Sequence, residues 1–130
     1  MAHIYRHIPR APDQRIGVIT PEDGRIYEER LGPDRHIGHV DYDSGRVYAA
    51  RFGPDRLVGH VDAEGRVYAS RLGPDRYMGR VTPEGEIFRH VRFGRDTYLG
   101  RVTEMKHPVE GAAALLLFFA EAEADDQPNR

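Results

Sequence analysis

Seven histidines and a series of evenly spaced arginines are the residues through which this chain could do chemistry. His39 and His60 hold the same place in two similar stretches, directly after a glycine in Ile37-Gly38-His39 and Val58-Gly59-His60. Val18, Arg80 and Arg101 hold that place in three others. Two imidazoles and two guanidiniums on one rim would grip a small anion, phosphate or carboxylate, through charge-assisted hydrogen bonds. The plainer reading of His39, His60, Arg80 and Arg101 is that they are solvent-facing strand residues. A metal site needs a third or fourth converging ligand. His3, His7, His90 and His107 stand in unrelated positions, and a regular pleat turns His36 to the face opposite His39. No metal and no other cofactor is expected.

Other chemistry is thinner. The turn Asp41-Tyr42-Asp43-Ser44-Gly45 offers oxygen donors like a calcium loop, but no glutamate follows at the required distance, and turn-forming Asp and Ser explain it. The absence of cysteine removes disulfides, thiolate ligands and thiol nucleophiles. There is no nucleophile elbow, no phosphate loop and no carboxylate pair at a cleft mouth, so the chain is read as not an enzyme. Nineteen bases against 21 acids leave a net charge of −2 and no overall pull toward nucleic acid or anionic lipid. The start, MAHIYRHIPRAP, lacks the apolar run of a signal peptide, and no stretch approaches the roughly twenty apolar residues of a membrane span. The expectation is a cytoplasmic protein with neither nucleic acid nor a membrane as partner.

The elements that hold these residues repeat. The stretch from Ile16, IGVITPEDGRIYEERLGPD, recurs from Ile37, Val58 and Met78 with a period of about twenty-one residues. Each unit reads as a β-hairpin, because both arms alternate with a period of two and a short turn ending in Gly24, Gly45, Gly65 or Gly85 separates them. The second arm is read as running to Leu72 in the third unit. Gly-Pro-Asp connectors, Gly32 to Asp34, Gly53 to Asp55 and Gly73 to Asp75, join one hairpin to the next. Arg30, Arg51, Arg71 and Arg92 lie four positions before Asp34, Asp55, Asp75 and Asp96, which predicts Arg–Asp pairs between repeats. The aromatic series Tyr5, Tyr27, Tyr48, Tyr68 and Phe88 predicts a core or inter-hairpin packing layer.

The ends are complementary. His3-Ile4-Tyr5 matches a second arm alone, and Tyr98 to Thr103 matches a first arm alone. Unpaired edges are a liability. Pairing Ala2 to Ile8 with Tyr98 to Thr103 closes a fifth hairpin and turns the array into a ring; an open solenoid is the competing arrangement. Two units break the rhythm: one residue too many between Phe88 and Phe93, and a long connector from Ile8 to Gln14. A β-bulge would absorb each. From Pro108 to about Ala124 the chain reads as a helix that is apolar on every side between Ala112 and Ala120, hence buried.

A turn glycine followed by basic, aliphatic and aromatic residues, as in Gly45-Arg46-Val47-Tyr48, within a pseudo-symmetric ring of hairpins resembles the bacterial β-flower proteins. The likeness covers about residues 2 to 104 and implies a fold, with no catalytic residues to carry over. The expected architecture is all-β: a closed pseudo-fivefold ring of hairpins over residues 1–104, a C-terminal helix over 105–124 packed on the ring or on another subunit, and a disordered tail over 125–130. The expected function is a non-enzymatic scaffold or interaction protein. It would bind a protein partner or another copy of itself, with Leu115, Leu116, Phe118 and Phe119 as the self-association face. A small-anion module built on the His39, His60, Arg80, Arg101 rim is the alternative.

Overall fold

Arms of four to seven residues separated by glycine turns have only neighbouring arms to satisfy their backbone groups, so they pair antiparallel in chain order. The computed structural model describes residues 1–119; the end of the expected helix, 120–124, and the tail, 125–130, lie outside the described residues. Ten strands form: β1 (Ala2–Arg6), β2 (Gln14–Thr20), β3 (Arg25–Glu28), β4 (Arg35–Asp41), β5 (Arg46–Ala49), β6 (Arg56–Val61), β7 (Arg66–Ala69), β8 (Arg76–Val81), β9 (Glu86–Arg89) and β10 (Thr97–Thr103). They close into a barrel in which β1 pairs with both β2 and β10.

The two chain ends therefore make the fifth hairpin. Its equivalence to the other four is visible in one bond: Glu29 N–H donates to the Ile16 carbonyl, Ala50 to Ile37, Ser70 to Val58, His90 to Met78 and His7 to Leu99, each at 2.9 Å. The fifth of these bonds links the N-terminal half-hairpin to the C-terminal one. Each hairpin is also tied to the next through its turn, since the carbonyls of Gly24, Gly45, Gly65 and Gly85 accept from Val40, Val61, Val81 and Val102 at 2.8–2.9 Å. Gly65 shows why glycine closes these turns: its φ is +85°, which a Cβ would oppose.

Every strand sends one branched aliphatic side chain inward, and these meet as direct cross-strand pairs: Ile19 with Ile26, Val40 with Val47, Val61 with Val67, Val81 with Ile87 and Ile4 with Val102. All ten are buried. β-Branched residues suit such a wall because their restricted side chains pack well on a pleated surface.

Bulges occur in every repeat, which corrects the expectation that they mark the two irregular units. Wherever a second arm meets the next first arm the register shifts by one residue, leaving Ile16, Ile37, Val58, Met78 or Leu99 without a partner. The shift carries each of these side chains to the core, adding five apolar groups to the interior. It also increases the local bend that a small closed barrel requires. The glycine that follows permits the close approach: a Cβ on Gly59 would run into the Tyr68 carbonyl and the Leu116 side chain. The irregular lengths are absorbed instead in the connectors, where Phe93 (φ +64°) and Arg10 (φ +65°) take the left-handed conformation that Gly32, Gly53 and Gly73 take elsewhere.

After β10 the chain reverses at Glu104 (φ +55°) and enters the barrel as α1 (Pro108–Ala114), continued by a π-helical turn, Leu115–Phe119. Val109, Ala112, Ala113, Ala114 and Leu115 are completely buried. The helix touches β4, β5 and β6 on one side and β8, β9 and β10 on the other, so the barrel encloses it. Its start is tightly capped. His107 Nδ1 accepts from the Val109 N–H at 2.9 Å, and Glu110 Oε1 accepts from the Lys106 N–H at 2.8 Å, a reciprocal arrangement that occupies amide groups the helix cannot bond itself.

Candidate functional site

The rim residues sit on the outer face of the barrel. Along β4, Val40 points inward and is buried, so the preceding His39 points outward; the same holds for His60 before Val61, Arg80 before Val81 and Arg101 before Val102. Each of the four meets two partners. One is the aromatic residue directly across its own hairpin: His39 stacks on Tyr48 at 4.7 Å and 10°, and His60 on Tyr68 at 5.2 Å and 16°. The Arg80 guanidinium lies 4.1 Å over the Phe88 ring, and that of Arg101 lies 4.4 Å over Tyr5. The other partner is the aspartate of the following connector: His39–Asp55 at 2.9 Å, His60–Asp75 at 3.5 Å, Arg80–Asp96 at 3.2 Å and Arg101–Asp13 at 3.2 Å.

This is one motif repeated around the barrel, an imidazole or guanidinium held between a ring and a carboxylate. It explains why the position alternates between His and Arg, since either supplies a flat cationic or donor group that stacks and donates. In the first repeat Val18 stands at this place and is 9% exposed, so the ring has a gap there. Burial pulls the Asp13 carboxyl upward, but hydrogen bonds from Arg101 and His7 outweigh that and hold it below its ordinary value of 3.8. Arranged around the outside of a closed wall, the four groups diverge, and each already has an anion.

The Arg–Asp pairs take a different form from the one expected. Arg30, Arg51 and Arg71 donate from Nε to the carbonyls of Pro33, Pro54 and Pro74 at 3.2, 2.7 and 2.9 Å, folding back on their own connectors. Arg92 lies 5.0 Å over its neighbour Phe93. Asp13, Asp55, Asp75 and Asp96 are instead taken by the rim. The aromatic series packs between strands on the half-exposed outside and not in the core; Tyr27 rests against His36 at 5.5 Å and Phe88 against Tyr98 at 5.5 Å. The bulge at Ile37 places His36 across from Tyr27, on the same outward face as His39, so the regular-pleat placement of His36 is corrected too. Among the described residues no group of three His, Asp or Glu side chains is placed to hold a metal ion.

Leu115, Leu116 and Phe119 are buried and Phe118 is half-buried, all within the molecule's own barrel: Leu116 lies against Gly59 and Phe118 against Gly17. The interior is thus filled by the chain itself. Two depressions at the hairpin-turn end, one bounded by Gly65, Pro83, Met105 and His107 and one by Ser44, Gly45, Asp62 and His107, measure about 260 and 280 Å³. A third of about 310 Å³ lies on the outer wall beside Arg46, His60 and Asp75, and all three are open to solvent, without the enclosure of a typical small-molecule site.

Two features escaped the sequence. Glu110 is 1% exposed, and the Tyr42 hydroxyl donates to its Oε2 at 2.6 Å while Lys106 Nζ sits 4.5 Å over the Tyr42 ring. Burial, and then the hydrogen bond to Glu110, push the Tyr42 hydroxyl well above its ordinary value. Tyr42 stands in a turn 68 positions away from Glu110, a separation at which no local pattern signals a bond. The second feature lies in the connectors. The second arms end at Glu28, Ala49, Ala69 and Arg89, earlier than alternation indicated, leaving Leu31, Phe52, Leu72 and Phe93 in loops with exposures of 101, 107, 101 and 95%. The available signal was a large apolar residue immediately before a turn glycine. Comparison with family models, with curated proteins and with solved structures gives no match for this chain.

Proposed function

We propose that this chain is a non-enzymatic interaction scaffold of the β-flower type: a rigid, self-filled barrel whose work is to hold its connector loops in a fixed array. The observation that carries this reading is that the groups able to do chemistry are engaged with one another. The His39, His60, Arg80 and Arg101 side chains are engaged by Asp55, Asp75, Asp96 and Asp13. The helix occupies the barrel interior, where an enclosed site would otherwise form. What remains turned outward and almost fully exposed is the set of apolar tips at the connector end, Leu31, Phe52, Leu72 and Phe93. Because Leu115, Leu116 and Phe119 are buried in their own barrel, the connector end rather than the helix is the surface for association.

Thermal melting in phosphate, sulfate, citrate and chloride at matched ionic strength tests this against the anion-binding alternative. The scaffold reading expects no anion-specific rise in melting temperature for the wild type. A rise of several degrees with one anion, lost when His39, His60, Arg80 and Arg101 are replaced by Gln in a protein that still folds, would establish the rim as a binding site and sink the scaffold reading.

A further inference from the structure

The connectors all lie at one end of the barrel and the hairpin turns at the other, because every first arm starts from a connector and ends in a turn. Charge divides the same way. The segments 8–15, 29–35, 50–56, 70–76 and 91–97, which flank the connectors, carry ten arginines against six carboxylates. The segments 20–25, 41–46, 62–66, 82–86 and 104–106, at the turn end, carry nine carboxylates against four bases. The near-neutral total therefore conceals a molecule with one basic and one acidic pole.

On the basic pole stand Leu31, Phe52, Leu72 and Phe93, essentially as exposed as in an extended peptide. Pseudo-symmetry places Leu31, Phe52 and Leu72 at equivalent positions in successive connectors, hence at one level along the barrel axis, and Phe93 stands in the irregular connector that follows at the same end. Such full exposure of four large apolar side chains on one end of a small protein is unusual for a surface that only meets water. The tips stand free of the rest of the molecule: the glycines beside them, Gly32, Gly53 and Gly73, have nothing within 4 Å of where a Cβ would stand. Separate tips ringed by arginine match a fluid anionic layer better than a folded partner, which would have to offer a socket for each tip. A second copy docking crown to crown would bring the two basic poles together.

We propose that the connector end docks on an anionic lipid surface, with Leu31, Phe52, Leu72 and Phe93 entering the headgroup–acyl boundary and exposed arginines such as Arg35, Arg56 and Arg95 meeting lipid phosphates. The inference rests on the reading of the connector end as the interaction surface and names its partner; it departs from the sequence expectation that no membrane is involved. The proposed docking is peripheral: the strands are four to seven residues long, short of the roughly nine to eleven that a membrane-spanning strand needs, and among the described residues no helix is long and apolar enough to cross a membrane.

The test is co-flotation of the full chain with vesicles of phosphatidylcholine alone and with about one-third phosphatidylserine, at low and high salt. The expected result is binding to the anionic vesicles that weakens with salt. It should fall at least tenfold in the variant Leu31→Ser, Phe52→Ser, Leu72→Ser, Phe93→Ser, whose melting temperature should stay near wild type because these side chains are almost fully exposed and Phe93 meets only the neighbouring exposed Arg92. Replacing Arg35, Arg56 and Arg95 by Gln should remove the preference for phosphatidylserine. No flotation of the wild type, or flotation indifferent to the four serines, overturns the lipid proposal while leaving the scaffold reading to its own melting test. Light scattering that shows an oligomer dispersed by the four serines, without vesicle binding, assigns the crown to self-association and overturns it as well. Vesicle binding that begins only after Glu121, Glu123, Asp125 and Asp126 are neutralised overturns it too, for the crown's partner is then the chain's own acidic segment.

Discussion

Single residues in this protein mostly serve to hold neighbours in place, and the carboxylates show it best. Thr20 and the Arg25 backbone hydrogen-bond Asp23, and Ser44 with the Asp43 backbone hydrogen-bonds Asp41; both carboxyls lie below the ordinary 3.8. In Asp62, burial pulls upward but hydrogen bonds from the Arg66 backbone and side chain prevail. Together with Asp13, each is more acidic folded than unfolded, so the unfolded chain binds more protons in acid and stability rises with pH through this region. The melting temperature should hold steady down to about pH 5 and drop below about pH 4, where unfolded carboxylates begin to protonate. Replacing Asp13 by Asn should flatten part of that fall, and an unchanged slope would show that its contacts with Arg101 and His7 carry no net linkage. Glu110 poses a second question at this scale. Removing its carboxylate in Glu110→Ala strands the Tyr42 hydroxyl and the Lys106 amide, at a cost of about 2–4 kcal/mol in urea unfolding. Tyr42→Phe should cost about 1–3 kcal/mol, and the double variant should cost less than the sum of the two, as expected for groups in contact.

Among the elements, the hairpins are legible in the sequence and the bulges are not. Period-two arms, turn glycines and complementary half-repeats announce a closed array of antiparallel pairs, because those signals are local or are repeated often enough to be unmistakable. A bulge leaves no such trace: Val58 and Met78 look like any apolar strand residue, and only pairing with the neighbouring hairpin shows that they are the extra ones. Without the bulges His36 falls on the wrong face, and the share of the interior that the first arms fill stays hidden. The rim is legible by position but not by partner, since the sequence places Asp55 sixteen residues from His39 without indicating that a connector folds back over the strand. The helix reads as buried from its all-round apolar sequence, and the glycines at 17, 38 and 59 are where the wall makes room for it. Gly59→Ala tests that fit: with the Tyr68 carbonyl on one side and Leu116 on the other, the added methyl should cost about 1–3 kcal/mol. A neutral effect would mean the helix has slack inside the barrel.

For the whole molecule, closure makes stability collective. In an open array a terminal strand can be lost with modest local damage, but removal of Met1 to Ile8 here exposes the β10 edge, deletes the fully buried Ile4 and opens the interior to water. The expected result is a loss of at least about 3 kcal/mol together with aggregation through the freed edge, measured by denaturant unfolding and light scattering. A truncated chain as stable as the full one would mean that the seam between β1 and β10 contributes little. That same seam fixes an order of events in the life of the chain. β1 leaves the ribosome first, and its second neighbour, almost a hundred residues later, leaves just ahead of the helix that must occupy the middle. Until then the first strand waits with one side unpaired, and no partial product can be sealed. Four hairpins can form from near neighbours, yet the last joins the most distant parts of the barrel wall, so assembly should be paced by that single long-range step and the nascent chain should be most prone to aggregate just before it.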